Sequence, residues 1–147
     1  MPDKAINELY FMPFLEKHLF IQTSNIAEAG MGLFTRVPIT KGATIIEYTG
    51  KISSWEGADH QDGNNLYIYF INDNHVIDAA KRKRSLGRYA NDARGLKKIK
   101  GFSNNAVFIE EGLKVYIVAT KNIEAEQEIF VSYGKEYWDV VKKNKED

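Results

Sequence analysis

Apolar and polar positions alternate over short stretches of this chain and seldom keep a helical period. Residues 43–48 (A-T-I-I-E-Y) are rich in β-branched side chains and predict a strand. Residues 66–71 predict another, with Tyr67 and Tyr69 on one face and Ile68 and Phe70 on the other. Residues 75–79 form a third, and 106–110 with 114–120 a hairpin joined across Glu111-Gly112. An earlier strand starts at Phe20-Ile21-Gln22, and a last one covers 128–132. Helical spacing is confined to the ends: residues 5–20, interrupted by Pro13, and residues 136–143, which carry Tyr137 and Trp138.

Between these elements the breakers are informative. Residues 29–34 (A-G-M-G-L-F) set two glycines around one residue, as a sharp turn or a close ligand approach requires. Pro38 to Gly42 is a turn. Residues 53–65 are polar, with Gly57, Gly63 and a lone Trp55, and predict a loop or short helix inserted between strands. The expected fold class is mostly β, built of short strands in small sheets. The expected domain runs over residues 20–138, with 1–19 packed on it and 139–147 as a tail.

Composition narrows the chemistry. At 147 residues there is room for one domain with a core. Lys+Arg and Asp+Glu balance at 20 each, so bulk charge names no polyanionic partner. The chain has no cysteine, which removes disulfides, thiolate metal sites and thiol nucleophiles. His18, His60 and His75 lack ligand spacing, so no metal is expected. No apolar run reaches the ~20 residues of a membrane helix, and the N-terminus lacks a secretory pattern. A soluble intracellular protein is expected, and a homodimer is compatible with the sequence. The basic run Lys81-Arg82-Lys83-Arg84 reads first as solvated surface, and direct nucleic-acid binding is not expected from it.

Six segments, in order, carry a family resemblance. They are Gly30-Met31-Gly32, Glu47-Tyr48-Thr49-Gly50, Ile77-Asp78-Ala79, Arg88-Tyr89-Ala90-Asn91-Asp92, Asn104-Asn105, and 128–134 (E-I-F-V-S-Y-G). In this order the chain resembles the SET-domain protein-lysine methyltransferases, of the minimal type without zinc-binding cysteines. The resemblance implies a β-clip fold with a C-terminal pseudoknot that brings Asn91 to Tyr133. It also implies transfer of a methyl group from S-adenosyl-L-methionine to a lysine in a histone or other basic protein.

By the same resemblance, Tyr133 is the first candidate for the catalytic centre and Tyr48 the second, as hydrogen-bond partner of the substrate amine. Ala29, Gly30, Met31 and Gly32 are expected to offer backbone groups to the cofactor. Asn91 is expected at its amino-acid end and Asp92 at its adenine, through the main chain. Tyr67 and Trp138 are further cofactor candidates. Asp92 stands where the family has histidine, and Val131 where several members carry the aromatic residue that tunes methyl number. Ordinary packing competes with function at each aromatic position. A catalytically silent binding module on the same scaffold is the rival from another class, and a nucleic-acid-binding β domain a third.

Overall fold

A computed structural model describes residues 15–94 and 101–133. The described chain holds nine strands and two short 3-10 turns. The strands are β1 (Leu19–Thr23), β2 (Met31–Thr35), β3 (Thr44–Glu47), β4 (Lys51–Ser53), β5 (Ile68–Asn72), β6 (His75–Asp78), β7 (Ala106–Glu111), β8 (Lys114–Ala119) and β9 (Glu128–Ile129). They form three three-stranded sheets, ordered β1-β2-β9, β3-β8-β7 and β4-β6-β5. Every strand pairing is antiparallel. The mostly β architecture expected from the sequence is the one observed.

Two strands depart from the expectation. The glycine segment is not a turn throughout. Gly30 alone takes the left-handed conformation, at φ 73°, and from Met31 onward the chain is β2. Gly32 sits inside that strand, where a methyl group would overlap the carboxylate of Glu128. The second departure is β4, which claims Ser53 from the predicted loop. Its three residues are too few to display an alternation. The remaining insertion folds as turns around a 3-10 segment at Gln61–Gly63. Tyr67 falls just before β5, which starts at Ile68. The hairpin turn is Gly112 and Leu113, one position beyond the prediction, with Gly112 at φ 63°.

The core lies between the first two sheets. Leu33, Ile45, Ile117, Ile123, Ile129 and Val131 are fully shielded there and pack as one cluster. Burying each such side chain contributes about 1.5–3 kcal/mol. A smaller cluster of Tyr48, Ile77, Ala79 and Val115 joins the third sheet to the second. The C-terminal stretch closes the fold. Phe130 bridges Asn91 and Val131 bridges Ala106, both in parallel sense. Asn105 pins that stretch on both edges, its Oδ1 accepting from Phe130 N at 2.9 Å and its Nδ2 donating to Glu128 O at 3.0 Å. Residues 128–133 therefore lie between the 90–93 and 104–106 segments, the arrangement a pseudoknot requires. The terminal helix expected at 136–143, with Tyr137 and Trp138, lies outside the described residues, as does most of the helix expected at 5–20.

Candidate active site

One side of the site is a polar cradle built around Glu128. This carboxylate is 2% exposed, so its oxygens need partners. Oε2 accepts from Ser24 Oγ at 2.7 Å and Oε1 from Asn25 N at 2.8 Å. Asn91 Nδ2 donates to Met31 O at 3.0 Å and lies 3.4 Å from Glu128 Oε2. Gly32 is what allows the carboxylate to lie flat against β2. The result is a sharp contrast within four residues. Gly32 is sealed, whereas Gly30 is open, with no atom within 4 Å of the place a Cβ would take, and Met31 is 42% exposed. Gly30 and Met31 are thus exposed above that carboxylate, with Gly30 O accepting Ser24 N and Met31 O accepting Asn91 Nδ2.

A second carboxylate fastens the C-terminal stretch. Asp92 is buried, and its Oδ2 accepts Tyr133 N at 2.9 Å. Its Oδ1 accepts Arg94 N and Asn104 Nδ2, each at 2.9 Å. Asn104 returns Oδ1 to Ala93 N at 2.8 Å. Two residues before Tyr133, Val131 N donates to Asn91 O at 2.9 Å. The Tyr133 hydroxyl donates to Ala90 O. Asn91 is held by the cradle and Ala90 by the tyrosine, so the Ala90-Asn91 step joins the two.

The other side of the site is aromatic. The Phe108 ring is edge-on to Tyr48 at 5.7 Å and to Tyr69 at 5.5 Å, and stacked with Tyr133 at 6.5 Å. Tyr48 and Tyr69 lie 6.3 Å apart. Such ring pairs contribute about 0.5–1.5 kcal/mol beyond burial. Tyr48 is buried at the end of β3, and its hydroxyl donates to Tyr67 O at 2.6 Å. Burial, and then the Glu110 carboxylate that accepts its hydroxyl at 3.0 Å, push the Tyr69 phenol up to about 12. The Tyr67 ring lies elsewhere: it is stacked on the Arg88 guanidinium at 4.2 Å. That guanidinium also donates to Ala79 O and Ala80 O, both at 2.9 Å.

The fold thus assembles Tyr133 and Tyr48 on one ring, Phe108, and links Tyr133 through Ala90-Asn91 to Met31. Tyr67 contributes its carbonyl to that group and its ring to another. Trp138 lies outside the described residues. Three members went unforeseen: Tyr69 and Phe108 as ring neighbours of the tyrosines, and Glu128 as the floor of the cradle. Glu128 stood inside a recognised motif, but nothing local assigns it a partner more than a hundred positions away.

Comparison with known proteins bears on this arrangement. The SET domain profile matches residues 30–134. Histone-lysine N-methyltransferase EZ2 of Zea mays is 28% identical over 110 residues, covering 71% of this chain and 12% of that protein. Histone-lysine N-methyltransferase EZA1 of Arabidopsis thaliana is 29% identical with the same coverage. An H3 lysine-4 specific histone-lysine N-methyltransferase of Candida albicans is 29% identical over 109 residues, 69% of this chain and 10% of that protein. The chain therefore spans about a tenth of the length of these curated relatives. In fold, the methyltransferase domain of human PR domain-containing protein 2 superposes with a TM-score of 0.61 at 22% identity, covering 86% of this chain and 83% of that one. The profile match takes in β2 through Tyr133, the whole of the cradle-and-ring assembly except Ser24, Asn25 and Ala29, and the chain belongs to the SET-domain family.

Proposed function

We propose that this protein is an S-adenosyl-L-methionine-dependent protein-lysine methyltransferase. The supporting observation is the junction of the exposed Gly30 and Met31, the Asn91 amide and the Tyr133–Phe108–Tyr48 ring group through one Ala90-Asn91 step. Open glycine backbone beside a side-chain amide suits a zwitterionic cofactor. The Asn91 oxygen is an acceptor for its ammonium, and the main chain around Asp92 is a neighbour for its adenine. When bound, S-adenosyl-L-methionine supplies an electrophilic methyl carbon carried on a sulfonium.

The chain's own residues do the rest. A lysine amine in water, with pKa near ~10.4, is mostly protonated and cannot attack. Walls of Phe108, Tyr48 and Tyr133 exclude water and favour the neutral amine. The two hydroxyls orient its lone pair, and Tyr133 is held for that task at its main-chain amide by Asp92. Ring faces and hydroxyl oxygens also suit the positive charge that moves from sulfur to nitrogen during transfer. Tyr133 acts by orientation, since a phenol of pKa near ~10 is a poor base at neutral pH.

The substrate class is a protein presenting a lysine, a histone or another basic protein, in keeping with the names of the relatives above. The test is incorporation of labelled methyl groups into histone or a basic chromosomal protein, with calorimetry of S-adenosyl-L-methionine alongside. Tyr133→Phe is expected to bind cofactor normally and to lose at least about 100-fold in turnover, roughly 3 kcal/mol of transition-state stabilisation. A variant as active as wild type would remove Tyr133 from the centre. Absence of cofactor binding by the wild-type protein would favour a silent scaffold.

A further inference from the structure

A second concave surface lies across the β4-β6-β5 sheet from the aromatic rings. Paired residues in a sheet share a face, and successive ones alternate. Ile52, Ile77 and Tyr69 form one cross-strand row, and its Tyr69 reaches Tyr48 and Phe108. The adjoining rows, Lys51–Asp78–Ile68 and Ser53–Val76–Phe70, therefore point the other way. Over that face folds the insertion after β4. Trp55 packs edge-on to Phe70 at 5.6 Å, and Asn65 Nδ2 donates to Asp78 Oδ1 at 3.0 Å. A cleft of about 330 Å³ remains, lined by Lys51 and Asp78 of the sheet, Gly57 and Ala58 of the insertion, and Lys81 and Arg82 of the turn after β6.

Lys51 lies thirty residues from the basic run, and only the fold brings it beside Lys81 and Arg82. Lys83 and Arg84 follow on the same turn, and all five residues are exposed. The two carboxylates lining the cleft already have backbone duties. Asp78 Oδ1 also accepts Ala80 N at 2.9 Å, and Asp59 Oδ1 accepts Gln61 N at 3.1 Å. The cleft lining thus sets three cations, Lys51, Lys81 and Arg82, against two carboxylates, and the exposed Lys83 and Arg84 add two more positive charges on the adjoining turn.

The run is also preset in shape. Ser85 N donates to Arg82 O, Ser85 Oγ to Thr49 O at 2.8 Å, and Tyr89 OH to Lys83 O at 2.7 Å. With Arg88 clamped on Ala79 O and Ala80 O, the backbone pays little further ordering entropy when a ligand arrives.

We propose that this face is a docking site for the phosphate backbone of duplex DNA. A row of cations on a fixed turn matches a polyanion with regularly spaced charges better than a single anion. It would repel a lysine-rich protein, so it is separate from the surface that presents a target lysine to the rings. Trp55 is engaged by Phe70 and His60, so the contact is to phosphates rather than stacked bases, and sequence preference is not expected.

The test is fluorescence anisotropy of a labelled mixed-sequence duplex with the full chain, without methyl donor, across a salt series. Neutralising about four or five phosphates gives a log–log slope of affinity against salt near about −4. Lys81→Glu with Arg82→Glu is expected to weaken binding at least about tenfold, and Lys51→Glu to weaken it further. The same charge change at exposed Lys41, in the turn before β3, is expected to cost less than about twofold. Equal losses at Lys41 and in the 81–82 variant would overturn the proposal, because net charge alone would then explain binding. So would a salt-independent affinity, or tighter capture of a phosphoserine peptide than of the duplex. The readout needs no turnover, so its failure is distinct from failure of the methyltransferase assignment. Methylation of a free peptide by the 81–82 variant is expected at wild-type rate.

Discussion

The cradle around Glu128 and the ring group around Phe108 meet at the Ala90-Asn91 step, yet different forces hold them. The cradle rests on hydrogen bonds to one shielded carboxylate, from Ser24 and Asn25 just after β1 and from Asn91. Ser24 Oγ loses its acceptor and Asn25 N its side-chain partner if that carboxylate goes, while Asn91 Nδ2 keeps Met31 O. The rings rest on dispersion and edge contacts among four side chains, several of them half-buried. Rings substitute for one another at modest cost, whereas a buried acceptor with dedicated donors does not. The cradle, proposed to hold the cofactor, is therefore brittle, and the ring group, proposed to meet the substrate, is adaptable.

The largest effect is expected from breaking the brittle half. Glu128→Ala leaves Ser24 Oγ and Asn25 N facing a void, and unsatisfied buried polar groups cost about 1–3 kcal/mol each. A loss of roughly 3 kcal/mol in urea unfolding is expected, with cofactor affinity falling in parallel. Glu128→Gln is expected to lose about half as much, because its one amide oxygen can serve Asn25 but its NH2 then faces the Asn91 amide. If Glu128→Ala unfolds like wild type, the cradle is not held by this residue.

Next comes the joint between the halves. The Asp92 carboxylate accepts from Tyr133 N, Arg94 N and Asn104 Nδ2. Asp92→Asn must turn an NH2 toward one of these donors, at a cost of about 1–2 kcal/mol. Because the Tyr133 main chain hangs from Oδ2, kcat is expected to fall more than cofactor affinity. Equal loss in both would mean that Asp92 acts at the cofactor and not through Tyr133.

How far the sequence carried is plain from these residues. Runs of β-branched and aromatic residues located the hairpin of β7 and β8 and the β5–β6 pair, and β8 shows the alternation outright, with Val115, Ile117 and Ala119 buried. The pattern failed at β2, where Gly32 sits in a strand for the sake of a carboxylate that arrives from residue 128. It failed again at β4, too short and too exposed to show a period. Resemblance singled out Tyr133, Tyr48, Asn91 and the glycine segment, and the fold does bring these together. It missed Tyr69 and Phe108, since cross-sheet ring contacts follow from how β5 meets β7 and leave no local trace. Nor did it foresee the side-chain duty of Asp92, expected to act through its main chain.

Smaller changes probe the adaptable half. Tyr48→Phe removes the hydrogen bond to Tyr67 O and keeps the ring against Phe108. A stability loss of about 1 kcal/mol is expected, the usual net worth of such a bond. The substrate KM should change more than the cofactor Kd. A cofactor Kd that shifts as much as KM would show that the rings and the cradle are not separable.

The smallest effect is a titration. The Tyr69 phenol is raised from 10.0 to about 12, first by burial and then by Glu110. A phenol whose folded pKa exceeds the unfolded one contributes stability that is intact below pH ~10 and is lost as pH climbs toward 12. Tyr69 is thus largely neutral across the range in which a lysine amine ionises. Ultraviolet difference titration of wild type against Tyr69→Phe should show one phenol ionising late. Glu110→Gln should bring that step down only partly, because burial is the larger cause. A full return to 10 in Glu110→Gln would make the carboxylate the dominant influence, and the rings a wetter and looser group than their packing indicates.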